Sequence, residues 1–279
     1  MDLAEYVRTQ ALAKLGHGTV SHDQLNDVLR LFAKYRSQLI QNTLLKVHGA
    51  RVLAGPFAGM EFVNNSSEGC HVAKLLGCYE GELHQFVETI VVTGYEVVVN
   101  IGCSEGYYAI GLARRCPSVR VFAHDINPLA QQACQELAAR NGVAERVTVA
   151  GLFDPTTFRA YQGRRALFII DIEGNELDLL ESVPASELSS FDFIIECHDC
   201  FRPQASERLS RHFAESHAQR LVNHEIRSVN LPPMFGKFGH LDQLLALWEW
   251  RMGPTPWLIL ASHQWPESPF CKAVLDGQT

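Results

Sequence analysis

Two regimes of hydrophobic and polar patterning divide the chain. Residues 2–15 carry a helical pattern. Over residues 21–49 the apolar side chains Leu25, Val28, Phe32, Tyr35 and Leu39 step by three and four. Ser21 and Gln24 have capping-box spacing, and Gly49 stands where a helix stops. These segments predict a helical extension over residues 1–50, followed by a main domain over 51–279. An apolar stripe must be buried, against the main domain or against a second copy in a homodimer. A lid over a binding site is the sharper alternative. "RVLAGPFAGMEFV" predicts a hairpin around its Gly-Pro turn. Leu75, Tyr79, Leu83, Phe86 and Ile90 then predict one long helix.

From Glu96 the pattern alternates. Strands are predicted over 96–101, 119–124, 146–150, 166–171 and 191–197, and helices over 106–115, 128–141, 175–182 and 205–217. Strands alternating with helices predict an α/β, doubly wound, mostly parallel sheet covered on both faces.

Composition narrows the partners. An apolar content of 47% with 20% charged residues is that of a globular enzyme. The formal net charge of −7 opposes nucleic acid and anionic membrane surfaces and favours a small-molecule substrate. No run reaches the ~18 apolar residues of a membrane span. The opening MDLAEYVRTQ has no apolar core of a secretory leader, and the eight cysteines are scattered. Together these predict a cytoplasmic protein with reduced thiols.

The first strand of the alternating part runs into Asn100-Ile101-Gly102-Cys103-Ser104-Glu105-Gly106. In doubly wound sheets, ligands bind beyond the carboxyl ends of the strands. A dinucleotide fingerprint from Gly102 needs glycines at 104 and 107, where serine and tyrosine stand. A P-loop lacks its lysine. The spacing suits a nucleoside without phosphates: Gly102 and Gly106 let the backbone approach it, and Glu105 can accept hydrogen bonds. Asp125 ends the second strand nineteen positions after Gly106, where a carboxylate grips ribose hydroxyls. Ile126 would face the purine. The alternative for Asp125 is an N-cap for helix 128–141.

"VVVNIGCSEGYYAIGLA" and "FIIDIEGNELDLLES" resemble the class I S-adenosylmethionine-dependent methyltransferases, and among them the FkbM-like family. The likeness rests on Asn100, Gly102, Cys103, Gly106, Tyr107 and Tyr108, then on Asp171, Glu173, Gly174 and Glu176. It covers roughly residues 75–200. It implies a Rossmann-like, seven-stranded sheet whose last, antiparallel strand is formed by residues 256–263. It also implies S-adenosyl-L-methionine as cofactor, contacted by Tyr79, Glu80, Asn100, Gly102, Cys103, Ser104, Glu105, Gly106, Tyr107, Asp125, Ile126 and Asp171. Asn100 departs from the family's usual acid; an uncharged acceptor weakens the grip on the cofactor's amino acid end.

Methyl transfer to a hydroxyl requires alignment and removal of one proton. "FIIDIEGNE" and "FIIECHDCF" supply polar residues at the ends of the fourth and fifth strands. His198 is expected as general base, Asp171 as positioning group and Glu173 as its orienting acid. Glu196, Asp199 and His217 are expected at the substrate, with Arg227, Glu249 and Arg251 lining the acceptor pocket. The alternatives are structural: a satisfied histidine at 198, and acids serving a helix N-terminus at 173 and 176. No metal is assigned. Zinc at Cys197 and Cys200 lacks a second C-x-x-C, and a divalent ion held by Asp171, Glu196, His198 or Asp199 stays an alternative. The expected activity is O-methylation of a small metabolite, sugar or natural product. The rivals are N-methylation of a small molecule or peptide, a non-catalytic cofactor-binding module, a metal-dependent hydrolase using the acidic cluster, and an oxidoreductase.

Overall fold

The computed structural model describes residues 2–64, 70–225 and 229–276. Arg227 lies outside the described residues. The strands are β1 (Val97–Ile101), β2 (Arg120–His124), β3 (Val147–Ala150), β4 (Ala166–Ile170), β5 (Asp192–Glu196), β6 (His217–Val222) and β7 (Trp257–Ser262). The helices are α1 (Leu3–Leu15), α2 (His22–His48), α3 (His71–Leu76), α4 (His84–Thr93), α5 (Tyr107–Arg115), α6 (Pro128–Arg140), α7 (Glu176–Glu181), α8 (Ala185–Leu188), α9 (Ala205–Phe213), α10 (His240–Leu247) and α11 (Pro269–Leu275).

One seven-stranded sheet has the order β3-β2-β1-β4-β5-β7-β6. β1 pairs in parallel with β2 and β4, and β7 is antiparallel to both β5 and β6. This is the doubly wound sheet expected from the sequence. Its central strands are apolar runs because both faces are covered. Val98, Leu167, Ile169, Ile194 and Ile259 face a core shared with α4, α5 and α6. Val97, Val99, Phe168, Phe193 and Leu258 face one shared with α7 and α9. The strand order reverses between β1 and β4, so their carboxyl ends flank the crevice where ligands bind in such sheets.

Four expectations need correction. The predicted helix through Leu75 and Ile90 is two helices: Gly77 takes a left-handed C-cap (φ 75°) and Glu80 is left-handed at φ 48°. The helix predicted to reach residue 217 ends at Phe213, and His217 opens β6. The hairpin over residues 51–63 is mostly turn, with one antiparallel bridge between Arg51 and Glu61. On α2, finally, Leu25 and Phe32 are exposed, while Val28, Ser37, Ile40, Gln41 and Leu44 are buried. The carboxyl half of α2 enters the core through Ile40 and Leu44. Its flank holds the carboxyl-terminal segment: Arg30 donates to the Arg251 carbonyl at 3.2 Å, and Arg36 pairs with Asp242 at 2.7 Å.

Candidate functional site

A cavity of about 590 Å³ opens over the carboxyl ends of β1 to β4. Gly102, Asp125, Ile126, Leu152, Asp171 and Glu173 are among its walls. Gly102 is required by more than a ligand. At φ 79° its missing Cβ would stand 1.6 Å from the Asp171 carbonyl, so the turn after β1 lies directly on the end of β4. Asp125 is 7% exposed and fixes this turn: Oδ2 accepts from the Ser104 N–H at 2.8 Å and Oδ1 from that of Asn127 at 2.8 Å. Asn127, not Asp125, caps α6. Each Asp125 oxygen therefore keeps acceptor capacity on a buried carboxylate. Beside it Ile126 and Leu152 are 76% and 79% exposed. Sequence reasoning missed Leu152 and its neighbours Gly151 to Pro155, although they follow β3 and strand ends were the place to look.

Other turn residues look inward. Glu105 is fully buried; Oε1 pairs with Lys74 at 2.8 Å and Oε2 accepts from the Ser104 hydroxyl at 2.7 Å. Cys103 is buried, and the missing Cβ of Gly106 would stand 2.7 Å from Cys134 Sγ. Gly106 thus makes room for the Cys134 thiol. Tyr107 packs edge-on to Phe57, Phe62 and Tyr79. Asn100 is buried in β1, its amide donating at 3.4 Å to the Ile169 carbonyl. Glu105, Cys103, Gly106 and Tyr107 accordingly build the turn from behind.

Behind the cavity lies a buried charge network. Arg251 donates to Glu196 Oε1 and Thr255, pairs with Glu80 at 3.2 Å and with Glu249 at 3.1 Å, and approaches Glu82 at 3.8 Å. Glu80 Oε2 accepts from the Tyr108 hydroxyl at 2.5 Å, and the Glu80 N–H donates to Glu249 at 2.8 Å. The left-handed turn at Glu80 aims this carboxylate inward. Burial pushes its pKa up to about 8, against the downward pull of Arg251. His224 closes the group, 3.4 Å from Glu82 and 3.6 Å from Glu249. Glu80 therefore belongs to this network, Tyr79 packs on Tyr107, and neither is among the cavity walls.

His198 joins the network to the cavity. Its Nδ1 lies 2.9 Å from Glu176 Oε1, and its Nε2 is 3.4 Å from Glu173, 3.7 Å from Asp171 and 3.7 Å from Glu196. Phe201 stacks on the ring at 5.7 Å. Burial disfavours the imidazolium, but bonds to Glu173 and Glu176 and the charge of Glu196 outweigh it, raising the pKa to about 11. An imidazole that favours its charged form among four carboxylates is poorly disposed to take up a further proton. Burial and then Glu196 hold Asp171 well above the carboxylate range. Glu176 is buried and also accepts from the N–H groups of Ile172 at 3.0 Å and Gly174 at 3.2 Å. It orients His198, the part expected of Glu173.

Two predicted substrate residues are elsewhere. Asp199 spends both oxygens on Ser206, accepting from its N–H at 3.0 Å and its hydroxyl at 2.6 Å, which anchors the start of α9. His217 pairs with Ser262 at the amino end of β5, where its Nε2 contacts the Phe191 carbonyl at 2.8 Å. That is the far end of the sheet. Cys197 is buried and Cys200 exposed, and both are free thiols.

No protein-family model matches the chain, and no curated protein is similar to it. Solved structures of similar fold include the O-methyltransferase TomG from Streptomyces achromogenes, in complex with SAM. It is 13% identical over 66% of this chain and 79% of that one, with a TM-score of 0.43. Precorrin-6y C5,15-methyltransferase from Geobacter metallireducens is 14% identical over 64% and 87%, TM-score 0.43. An rRNA methylase from Streptococcus thermophilus is 12% identical over 65% and 95%, TM-score 0.40. At these identities and scores nothing about the site or the activity of this chain follows from them.

Proposed function

We propose that the chain is a class I S-adenosylmethionine-dependent methyltransferase of the FkbM-like type, acting on a hydroxyl oxygen of a small metabolite, sugar or natural product. The observation that carries this reading is the make-up of the cavity. A buried carboxylate with spare acceptor capacity, Asp125, shares it with the exposed apolar side chains Ile126 and Leu152. That combination suits a ribose with an attached flat base: the hydroxyls bond the carboxylate, and the base covers apolar surface at a gain of about 25 cal/mol per Å². Glu173 on the same wall, kept ionised by its bond to His198, suits a positively charged sulfonium.

When bound, this cofactor supplies a methyl group already activated for direct displacement. The chain's part is to hold the acceptor in line and take up its proton. The proton acceptor in this reading is Glu173, a carboxylate of the cavity wall whose side chain is 68% exposed. Glu173 is left-handed at φ 54°, a strain that non-glycine residues bear mainly at functional sites. The Arg251 network fixes Glu196, which lies 3.7 Å from the His198 nitrogen that Glu173 also approaches.

The test is release of S-adenosylhomocysteine on incubation with S-adenosylmethionine and a panel of sugars, phenols and amines. Turnover with hydroxyl acceptors supports the reading. Transfer only to amines would move it to N-methylation, and cofactor binding without turnover would leave a binding module.

A further inference from the structure

Asp171, Glu196 and His198 bring three donor atoms to one point from the ends of β4 and β5. One oxygen or nitrogen from each lies within 4.8 Å of the others. The separations of 3.7 Å from His198 Nε2 to Asp171 Oδ1 and to Glu196 Oε2 exceed hydrogen-bond range, about 2.7–3.2 Å. They are slightly wider than the roughly 3.0–3.5 Å between donors that share an ion at ~2.1 Å. A small closure of side chains would complete the coordination.

Two observations beyond the count of acids point to a ligand. Asp171 Oδ1 is buried and has no hydrogen-bond partner among the described residues, an arrangement that costs about 1–3 kcal/mol unless something fills it. His198, only 3% exposed, turns Nε2 toward that oxygen at 3.7 Å, with Glu173 at 3.4 Å. Its other nitrogen is held 2.9 Å from buried Glu176, itself fixed by two backbone N–H groups. A carboxylate behind the imidazole is the usual support of a metal-bound histidine, since it fixes the N–H on Nδ1 and presents Nε2 to the ion. Arg251 occupies Glu196 Oε1, leaving Oε2 facing His198.

We propose that Asp171, Glu196 and His198 bind one divalent first-row cation such as Mn²⁺, which takes the place of the proton on His198 Nε2, with Glu176 positioning the imidazole. Two carboxylates and an imidazole suit Mn²⁺, Fe²⁺ or Zn²⁺ better than Mg²⁺ or Ca²⁺, which prefer oxygen alone. The sequence-based expectation assigned no metal and kept a divalent ion at these residues as an alternative. Because Asp171 also lines the cavity, the ion borders it.

The test uses the full chain after treatment with chelator, titrated with Mn²⁺ and followed by electron paramagnetic resonance. One saturable Mn²⁺ per chain is expected, with electron spin echo modulation from a single imidazole nitrogen. Asp171→Asn should weaken binding at least ~100-fold, and Glu176→Gln by ~10–100-fold, the usual effect of losing a supporting carboxylate. Absence of saturable binding, a spectrum without nitrogen coupling, or unchanged affinity in folded Asp171→Asn would overturn the proposal. If the variants fail to fold by circular dichroism, the nitrogen coupling of the unmodified protein decides alone. S-adenosylhomocysteine binding is measured separately, so failure of the methyl-donor reading leaves this result intact.

Discussion

Arg251→Met tests whether the buried charge network behaves as the geometry requires. The Arg251 side chain is 13% exposed and contacts Glu80, Glu196 and Glu249, each of which has a side chain no more than 6% exposed. Methionine fills much of the same volume but leaves these acids without their cation. Removing one partner of a buried ion pair costs about 3–5 kcal/mol, and here three acids lose the same partner. The sign of the pH dependence follows from Glu80. Its folded pKa, about 8, already lies above the ordinary carboxylate value because of burial, and Arg251 restrains it. Without Arg251 it rises further, each unit adding about 1.4 kcal/mol of preference for the protonated form. Near pH 5 Glu80 is protonated in both proteins and contributes nothing to their difference. As pH rises through 8, it ionises in the parent alone. The stability gap should therefore widen from pH 5.5 to 8.5 by up to about 1 kcal/mol, on top of the about 3–5 kcal/mol for acids left unpaired. Urea unfolding of both proteins at several pH values measures it. A gap below about 1 kcal/mol at every pH, or one that narrows as pH rises, would refute a dry network held by Arg251.

Two further predictions concern single residues. Asp125→Ala should weaken S-adenosylhomocysteine binding by ~1–3 kcal/mol, or roughly 5- to 150-fold, in calorimetry; an unchanged dissociation constant would reject the ribose role. Burial lowers the pKa of His217 to about 4, so its stabilising contribution is complete above pH 6.5 and is lost as pH falls toward 4. The stability difference between the parent and His217→Gln should shrink over that window, by at most about 3 kcal/mol. A difference that stays constant between pH 7 and 4.5 would mean that His217 is not held neutral.

Much of the sheet was legible because buried parallel strands are written as apolar runs, such as Val97–Val99 or Phe168–Ile170, ending in glycine or a carboxylate. β6 was not. It is an edge strand with the sequence His-Ala-Gln-Arg-Leu-Val, only partly buried after His217, and its polar positions look like the end of a helix. The break before α4 escaped for a related reason, since Leu75, Tyr79 and Leu83 keep helical spacing across Gly77. In the site, Asp125 and Asp171 were found because each sits at a strand end, where position alone indicates the cavity. The charge state of His198 was not readable. It depends on Glu173, Glu176 and Glu196 converging on one ring, and Arg251 reaches Glu196 and Glu80 from 55 and 171 positions away. No local pattern encodes such a meeting. Gly102 and Gly106 were read as close approaches to a ligand; the approaches seen are to Asp171 and Cys134, partners that only the fold supplies.

The central claim is that the cavity over β1 to β4 holds an adenosyl methyl donor. Isothermal calorimetry of the purified chain with S-adenosylmethionine, S-adenosylhomocysteine and NADH tests it most directly. The account predicts saturable one-to-one binding of both adenosyl ligands, lost or weakened in Asp125→Ala, and none of NADH. Failure of both adenosyl ligands to bind, or preference for NADH, would contradict it.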